Sequence, residues 1–313
     1  MWLKRDLNFP ALTQPAGVTI GAFDGVHRGH QALIGALVNN SHAAGRAAIA
    51  VTFDPLPVQC FTQKEAVLLT SREERLRQLE ILEVDGVVLL PFDHQMRQIP
   101  AETFVIHLRR QLQMTELWIG PDFKLGHDRR DTTFLQSLGR DLDFEVHILP
   151  PYQHHGIPVR STRIRAALQN GLLTLANELL GRPYQLTGSI EHGEKRGRTL
   201  GFPTANLGTA TTRLLPAHGC YICRAHLARG AFGAVTNIGT RPTFNHSQVT
   251  VEAHLLDFAA DIYGETLQLD FMTRLRPELK FASAEALIKQ LHQDKNTARA
   301  WLALQQTTAK SFV

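Results

Sequence analysis

Gly21-Ala22-Phe23-Asp24-Gly25-Val26-His27-Arg28-Gly29-His30 is the stretch that decides how this chain folds. An apolar segment, Val18-Thr19-Ile20, leads into it, and helix-like spacing follows over residues 31–40. Strand, glycine-rich turn and helix start together make an anion cradle. The turn brings backbone N–H groups close to the anion, and the helix N-terminus adds partial positive charge. Glycine allows the tight path, because a Cβ would block it. His27 and His30 flank Gly29 and can donate N–H groups to phosphate oxygens. No carboxylate-rich surroundings suggest a metal cage there.

Outward from this turn, the first half alternates strand-like and helix-like segments. Residues 47–52 and 86–90 are short, mostly apolar runs that read as buried strands. Residues 117–120 and 144–149 continue the series. Between them, residues 71–83 have helical spacing, with Ser71 as N-cap and Glu74 completing a capping box. Pro100 opens another helix, and Phe53-Asp54-Pro55-Leu56-Pro57 forces a turn or loop. This alternation predicts an α/β fold with a mostly parallel sheet covered on both faces. Ligands in such sheets bind at the carboxyl ends of strands. The histidine turn and the loop Gly120-Pro121-Asp122-Phe123-Lys124-Leu125-Gly126 both lie at such ends.

The pattern changes near Gly181-Arg182-Pro183. Two helical segments, 161–170 and 172–180, precede it. Short alternating strands with glycine turns follow, at 184–190, 221–227, 231–237, 249–256 and 266–271. Such strands without intervening helices predict a small antiparallel barrel or sandwich. Ser283 caps a last helix running to about residue 292. The expected domains are therefore 1–182 and 183–313.

Composition narrows the class. With 313 residues and 43% hydrophobic content, the chain can bury two cores. No segment approaches the roughly 20 apolar residues that span a bilayer. The start, Met-Trp-Leu-Lys-Arg-Asp, lacks the apolar region of a signal peptide. Three cysteines form no framework, and Cys220-x-x-Cys223 sits in a strand-like run that sends the two thiols to opposite faces. A reducing cytoplasm is the expected compartment. Net charge is +4. The first 180 residues carry 18 basic and 19 acidic side chains, the rest 15 and 10, so the second half suits anionic ligands. No Lys/Arg run of the nucleic-acid-binding kind is present, and no nucleic acid or membrane partner is expected.

Three further motifs carry chemistry. Arg160-Ser161-Thr162-Arg163-Ile164-Arg165 lies at a helix start, where hydroxyls, helix N–H groups and arginines combine as a phosphate site. Gly193, Gly197 and Gly201 space a pliable loop before Phe202-Pro203-Thr204-Ala205-Asn206, and such a loop can close over phosphates. Thr204 and Asn206 offer oxygen ligands suited to Mg²⁺. Glu252 is a carboxylate in an otherwise apolar strand, with His254 on the same face, and is a candidate general base.

The H-x-G-H pair behind a strand resembles the nucleotidyltransferase superfamily related to class I aminoacyl-tRNA synthetases, and S-T-x-I-R resembles its second motif. With Leu200-Gly-Phe-Pro-Thr-Ala-Asn206 and Asn237-Ile-Gly-Thr-Arg-Pro-Thr-Phe244, the whole chain resembles the bacterial bifunctional riboflavin kinase/FMN adenylyltransferases. The resemblance implies the barrel form for the second domain. It also implies two ATP-dependent, Mg²⁺-assisted reactions: riboflavin to FMN in the second domain, and FMN to FAD plus pyrophosphate in the first. It implies nucleotide binding by Gly21, Phe23, Asp24, His27, Gly29, His30, Ser161, Thr162 and Arg165 in the first domain. In the second it implies nucleotide binding by Gly193, Gly197, Gly201, Thr204 and Asn206. Asp122, Phe123 and Arg276 would contact flavin, and His27, His30 and Glu252 would be catalytic. The chain departs from the family pattern at Asp54, Leu56, Asp131 and Arg160, all in the first half. These departures leave a kinase with a weakened first domain as an alternative reading, beside a flavin- or RNA-binding regulator.

Overall fold

The computed structural model describes residues 1–61, 67–192, 201–208, 212–242 and 247–310, excluding the side chains of 241–242, 247–248 and 306–310. The chain divides by its contacts into two units, Met1–Ser161 and Thr162–Val313. The first unit runs β1 (Trp2–Lys4), β2 (Ala16–Ile20), α1 (Arg28–Ala43), β3 (Ala47–Phe53), α2 (Pro57–Phe61) and α3 (Arg72–Ile81). It continues with β4 (Gly86–Leu90), α4 (Ala101–Leu112), β5 (Met114–Ile119), α5 (Thr132–Asp141), β6 (Glu145–Ile148), and a small ribbon of β7 (Gln153–His154) and β8 (Ile157–Pro158).

Six strands form one parallel sheet in the order β1-β4-β3-β2-β5-β6. Every residue of β2, β3 and β4 is buried, which is why their sequences are continuous apolar runs rather than alternating ones. Two cores lie on the sheet's two faces. Phe104, Leu108, Leu112, Leu135 and Leu138 bring α4 and α5 to one. Ile34, Leu37, Val38 and Leu79 bring α1 and α3 to the other. The chain leaves β2 toward β3 and β4, then returns to place β5 on β2's other side. The strand order therefore reverses between β2 and β5, where open α/β sheets bind ligands. The loops after those two strands are the histidine turn and the Gly120 loop.

α6 (Ser161–Gln169) leads into the second unit, followed by α7 (Leu173–Leu180). Gly181 ends α7 at φ 75°, a left-handed C-cap that glycine accepts without strain. Then come β9 (Tyr184–Glu191), β10 (Ala205–Leu207), β11 (Gly219–Leu227), β12 (Gly230–Pro242), β13 (Ser247–Leu255), β14 (Thr266–Pro277) and α8 (Ala284–Lys310). The strands close into an antiparallel barrel, β10-β13-β12-β11-β14-β9, as the family resemblance implies. Tyr184, Tyr221 and Phe271 are buried and in ring contact, Tyr221 edge-on to Phe271 and Tyr184 tilted against it. Asn177 docks α7 on the barrel by donating to Phe271 O (2.8 Å) and accepting from Tyr184 N–H (2.8 Å).

Several elements differ from expectation. The last helix runs to Lys310 rather than about 292, because Ala298, Trp301 and Leu302 pack on Ile222, Val235 and Leu256 of the barrel unit. α5 was not expected; Asp131 caps it by accepting the Phe134 N–H at 3.1 Å. β1 and β10 have three residues each, too few for a period to register. Among the described residues no helix is long and apolar enough to cross a membrane. Cys60, Cys220 and Cys223 are free thiols.

Candidate active sites

The turn after β2 takes two non-glycine residues into the left-handed region, Phe23 at φ 48° and Val26 at φ 38°. Such backbone persists only where surrounding bonds over-determine it. Here they do. The Asp24 carboxylate, 3% exposed, accepts from Leu69 N–H (3.0 Å) and from the N–H and hydroxyl of Thr70 (3.1 and 3.2 Å). Gly25 N–H donates to Thr70 Oγ1 (3.0 Å), and Gly21 N–H is taken by Val51 O (3.0 Å). Gln31 Nε2 donates to Val26 O at 2.8 Å. Gly21 and Asp24, which the resemblance assigns to nucleotide, also hold the turn's shape: the first gives its amide to β3, the second its carboxylate to residues 69–70. Phe23 is buried, with its ring edge-on to His30 at 5.3 Å.

His27 is the N-cap of α1, and its Nδ1 accepts the His30 N–H at 3.3 Å. An accepting Nδ1 puts the proton of the neutral ring on Nε2, which leaves that N–H as a donor. The two imidazoles stack, with centroids 3.7 Å apart and planes 15° from parallel. Burial, and then the charge of His27, hold the His30 pKa well below its usual value. His30 is therefore a neutral ring at pH 7, and its Nδ1 has no hydrogen-bond partner among the described residues. A Cβ on Gly29 would sit 3.2 Å from the His27 ring and 3.5 Å from Val159 O, so glycine keeps the stack in place. Ser161, first residue of α6, donates its hydroxyl to Asp24 O at 2.9 Å and joins this cluster. Thr162 and Arg165 follow in the first turns of α6.

Asp122 is exposed and ion-paired with Arg160, the residue before Ser161. Phe123 is half-buried and packs against the sheet core, with its N–H on Gly120 O. Arg160, a departure in the sequence, thus ties the Gly120 loop to the start of α6.

In the barrel, strand register lines up Asn206, Glu252, Asn237, Cys220 and Arg276 as successive cross-strand neighbours on β10, β13, β12, β11 and β14. Cross-strand partners share a face. Four of the five, from Glu252 to Arg276, line a cavity of about 320 Å³ with Thr204, His254, Phe202 and Phe281. Thr204 also lines a second cavity of about 450 Å³, walled by Ile190, Phe258, Ile262 and Tyr263. Both volumes fall in the range of small-molecule sites. Glu252 is half-buried in the first cavity, beside Thr204, which lines both. It accepts from Thr204 Oγ1 (3.4 Å) and Thr250 Oγ1 (3.3 Å). His254, on the same face, shares its Nδ1 with Pro203 O (2.9 Å), which fixes the segment carrying Thr204. Burial depresses the His254 pKa. Gly201 turns into this segment at φ 79°. Gly193 and Gly197 lie outside the described residues.

Arg276 is bound on its own side. Its Nε and Nη2 donate to the Asp294 carboxylate of α8 at 3.0 and 2.7 Å, and Asp294 is 2% exposed. Burial would lower the Arg276 pKa, but Asp294 overrides it and holds the guanidinium above its ordinary value. Burial pushes the Cys220 thiol up to about 11, so it is a wall and not a nucleophile at neutral pH. Sequence reasoning missed Asp294, Cys220 and Asn237 as site neighbours. Only Asn237 carried a signal, as the first residue of the N-I-G-T-R-P-T-F run.

A chain built this way handles phosphate twice, on two unrelated folds, which is the plan of a two-site nucleotide-dependent transferase. Comparison with known proteins agrees. A family model described as FAD synthetase matches residues 10–163, and one described as riboflavin kinase matches residues 180–302. The bifunctional riboflavin kinase/FMN adenylyltransferase of Escherichia coli K12 is 36% identical over 291 residues, covering 92% of this chain and 93% of its own. The Pseudomonas fluorescens protein of the same name is 37% identical over 288 residues, covering 91% and 92%. That of Bacillus subtilis 168 is 32% identical over 288 residues, covering 90% of each. The chain belongs to this family of bifunctional riboflavin kinase/FMN adenylyltransferases. A solved structure named as a macrolide-efflux protein from Streptococcus pneumoniae superposes with a TM-score of 0.88 at 29% identity, over 96% of this chain and 98% of its own. Because both family models match, the narrower readings, a kinase alone or a binding regulator, are not favoured.

Proposed function

We propose that this protein converts riboflavin to FMN and then FMN to FAD, each step at the expense of ATP. The observation that carries the reading is the pair of unlike phosphate-handling sites in one chain. One is the stacked His27/His30 at the start of α1. The other is Glu252 in the 320 Å³ cavity, bonded to Thr204, which lines both cavities. Functionally, residues 1–182 form the adenylyltransferase, since the start of α6 supplies Ser161 to its site, and residues 183–313 form the kinase.

In the kinase, riboflavin occupies the cavity lined by Phe202, Asn237 and Arg276. ATP occupies the neighbouring one, its base near Tyr263. Glu252 takes the proton of the ribityl hydroxyl as that oxygen attacks the γ-phosphorus and ADP departs. The ligands beside Glu252 are the Thr204 hydroxyl and, across the strand pair, the Asn206 amide. This all-oxygen set fits Mg²⁺, which supplies charge neutralisation on the transferring phosphoryl group when bound. In the first domain, a phosphate oxygen of FMN attacks the α-phosphorus of ATP and pyrophosphate leaves. His27 Nε2–H, the neutral His30 ring, the α1 N-terminus and the Ser161 hydroxyl orient the triphosphate and offset the charge that builds on it. Asp122 and Phe123 stand on the flavin side of that cleft. A cytosolic location fits the ATP requirement and the three free thiols.

Incubation of the pure protein with riboflavin, ATP and Mg²⁺, with FMN and FAD resolved by chromatography, tests the proposal. Both products are expected, FMN first. Absence of any flavin product sinks it.

A further inference from the structure

Arg75 is one of the most buried side chains in the molecule, at 2% exposure, and it lies outside both motifs. A buried guanidinium is uncommon and is tolerated where its N–H groups find acceptors. Both terminal nitrogens of Arg75 do, and its Nε has none among the described residues. Arg75 extends from the first turn of α3, whose start is fixed by the Ser71/Glu74 capping box. It donates to two main-chain carbonyls, Phe53 O through Nη2 (2.8 Å) and Ala22 O through Nη1 (3.3 Å). Ala22 follows β2, inside the histidine turn. Phe53 ends β3. The fork therefore joins two adjacent strand ends at the edge of the ligand-binding crevice. Arg72, one turn earlier, pairs with Asp54 at 3.2 Å and holds the same β3 loop.

A charge is needed there as well as a fork. The turn keeps its left-handed Phe23 and Val26 by burying the Asp24 carboxylate. That negative charge sits in the same short turn that would receive a triphosphate, and it opposes the ligand. Burial lowers the Arg75 pKa, and the Asp54 and Asp24 carboxylates act against that fall, so the guanidinium feels both charges. An arginine stays protonated even so.

We infer that Arg75 is a positioning residue for nucleotidyl transfer: its fork holds the histidine turn to the end of β3, and its cation offsets Asp24 under the incoming phosphates. This rests on the reading of that turn as the triphosphate site of FMN adenylylation. Lysine at 75 keeps the cation but cannot bridge two carbonyls in one plane. Methionine keeps much of the volume and loses both functions.

The test uses the full-length protein and its Arg75→Lys and Arg75→Met variants. FAD formation from FMN is followed at varied ATP, with FMN formation from riboflavin in the same preparations as internal control. Arg75→Met is expected to raise the KM for ATP about 10-fold and to cut kcat about 10-fold or more. Arg75→Lys is expected to cut kcat about 10-fold with the KM for ATP within about 3-fold of wild type. Riboflavin kinase rates should stay within about 2-fold in both. Wild-type kinetics in Arg75→Met overturns the inference. So does an equal loss of the kinase reaction, or an equal rise of KM in both variants. If Arg75→Met fails to fold, Arg75→Lys decides alone: a kcat loss at preserved KM supports the inference, and no change overturns it. A wild-type protein that makes FMN but no FAD sinks both this inference and the reading beneath it. FAD formation indifferent to residue 75 sinks this inference alone.

Discussion

Replacing Glu252 by glutamine separates chemistry from architecture in the barrel. Glutamine has the shape of glutamate and keeps one carbonyl oxygen for the Thr204 or Thr250 hydroxyl. Its cross-strand neighbours Asn206 and Asn237 are neutral amides. The change in stability should stay below about 1 kcal/mol, the scale of one exchanged hydrogen bond. The change in rate should be much larger. Removing a positioned general base costs typically 10²- to 10⁴-fold, or about 3–5 kcal/mol of transition-state stabilisation. The assay is FMN formation from riboflavin at saturating ATP and Mg²⁺, beside FAD formation from supplied FMN. The first should fall by at least about 100-fold and the second stay within about 2-fold. A kcat for FMN formation within about 3-fold of wild type would refute the base assignment. Parallel loss of both activities would refute the separation of the two sites.

Three more outcomes follow from the first unit. His27→Ala/His30→Ala should lower FAD formation from FMN by at least about 100-fold and leave FMN formation from riboflavin intact, read in the same product assay. Asp24→Asn turns an acceptor of three hydrogen bonds into a side chain that offers an NH₂ to N–H donors. It should cost about 1–3 kcal/mol in denaturant unfolding of that unit and reduce adenylylation more than kinase activity. His30 has a depressed pKa, so the unfolded chain binds its proton first as pH falls. The stability it contributes is present above the unfolded value near 6.5 and lost as pH drops below that toward the folded pKa. Stability should therefore weaken as pH falls below about 6.5, by no more than about 1.4 kcal/mol per pH unit from this group, and His30→Gln should flatten that slope in a pH series of melts.

The sequence-visible parts of this molecule are those whose cause is local. Residues 86–90 announce a central strand because all five are buried on both faces. The start of α3 was legible in Ser71 and Glu74, whose reciprocal bonds span three residues. The turn at residues 21–30 was legible as a phosphate cradle because glycines, histidines and helix start are contiguous. What stayed hidden depends on distant partners. Asp24 holds its turn through Leu69 and Thr70, which lie 45 and 46 residues on. Asp131, one of the departures from the family pattern, caps α5. Arg276, expected at the flavin, is also held by Asp294 on the last helix. The row from Asn206 to Arg276 emerges only once five strands take their register. No spacing along the chain encodes it.

The central claim is that one chain runs two successive reactions on one flavin. Its most direct measurement is the time course of flavins from riboflavin, ATP and Mg²⁺ with the pure protein, resolved by chromatography. FMN that rises first and then converts to FAD, with one pyrophosphate released per FAD, is the predicted result. FMN that accumulates without FAD, or no flavin product at all, would contradict it.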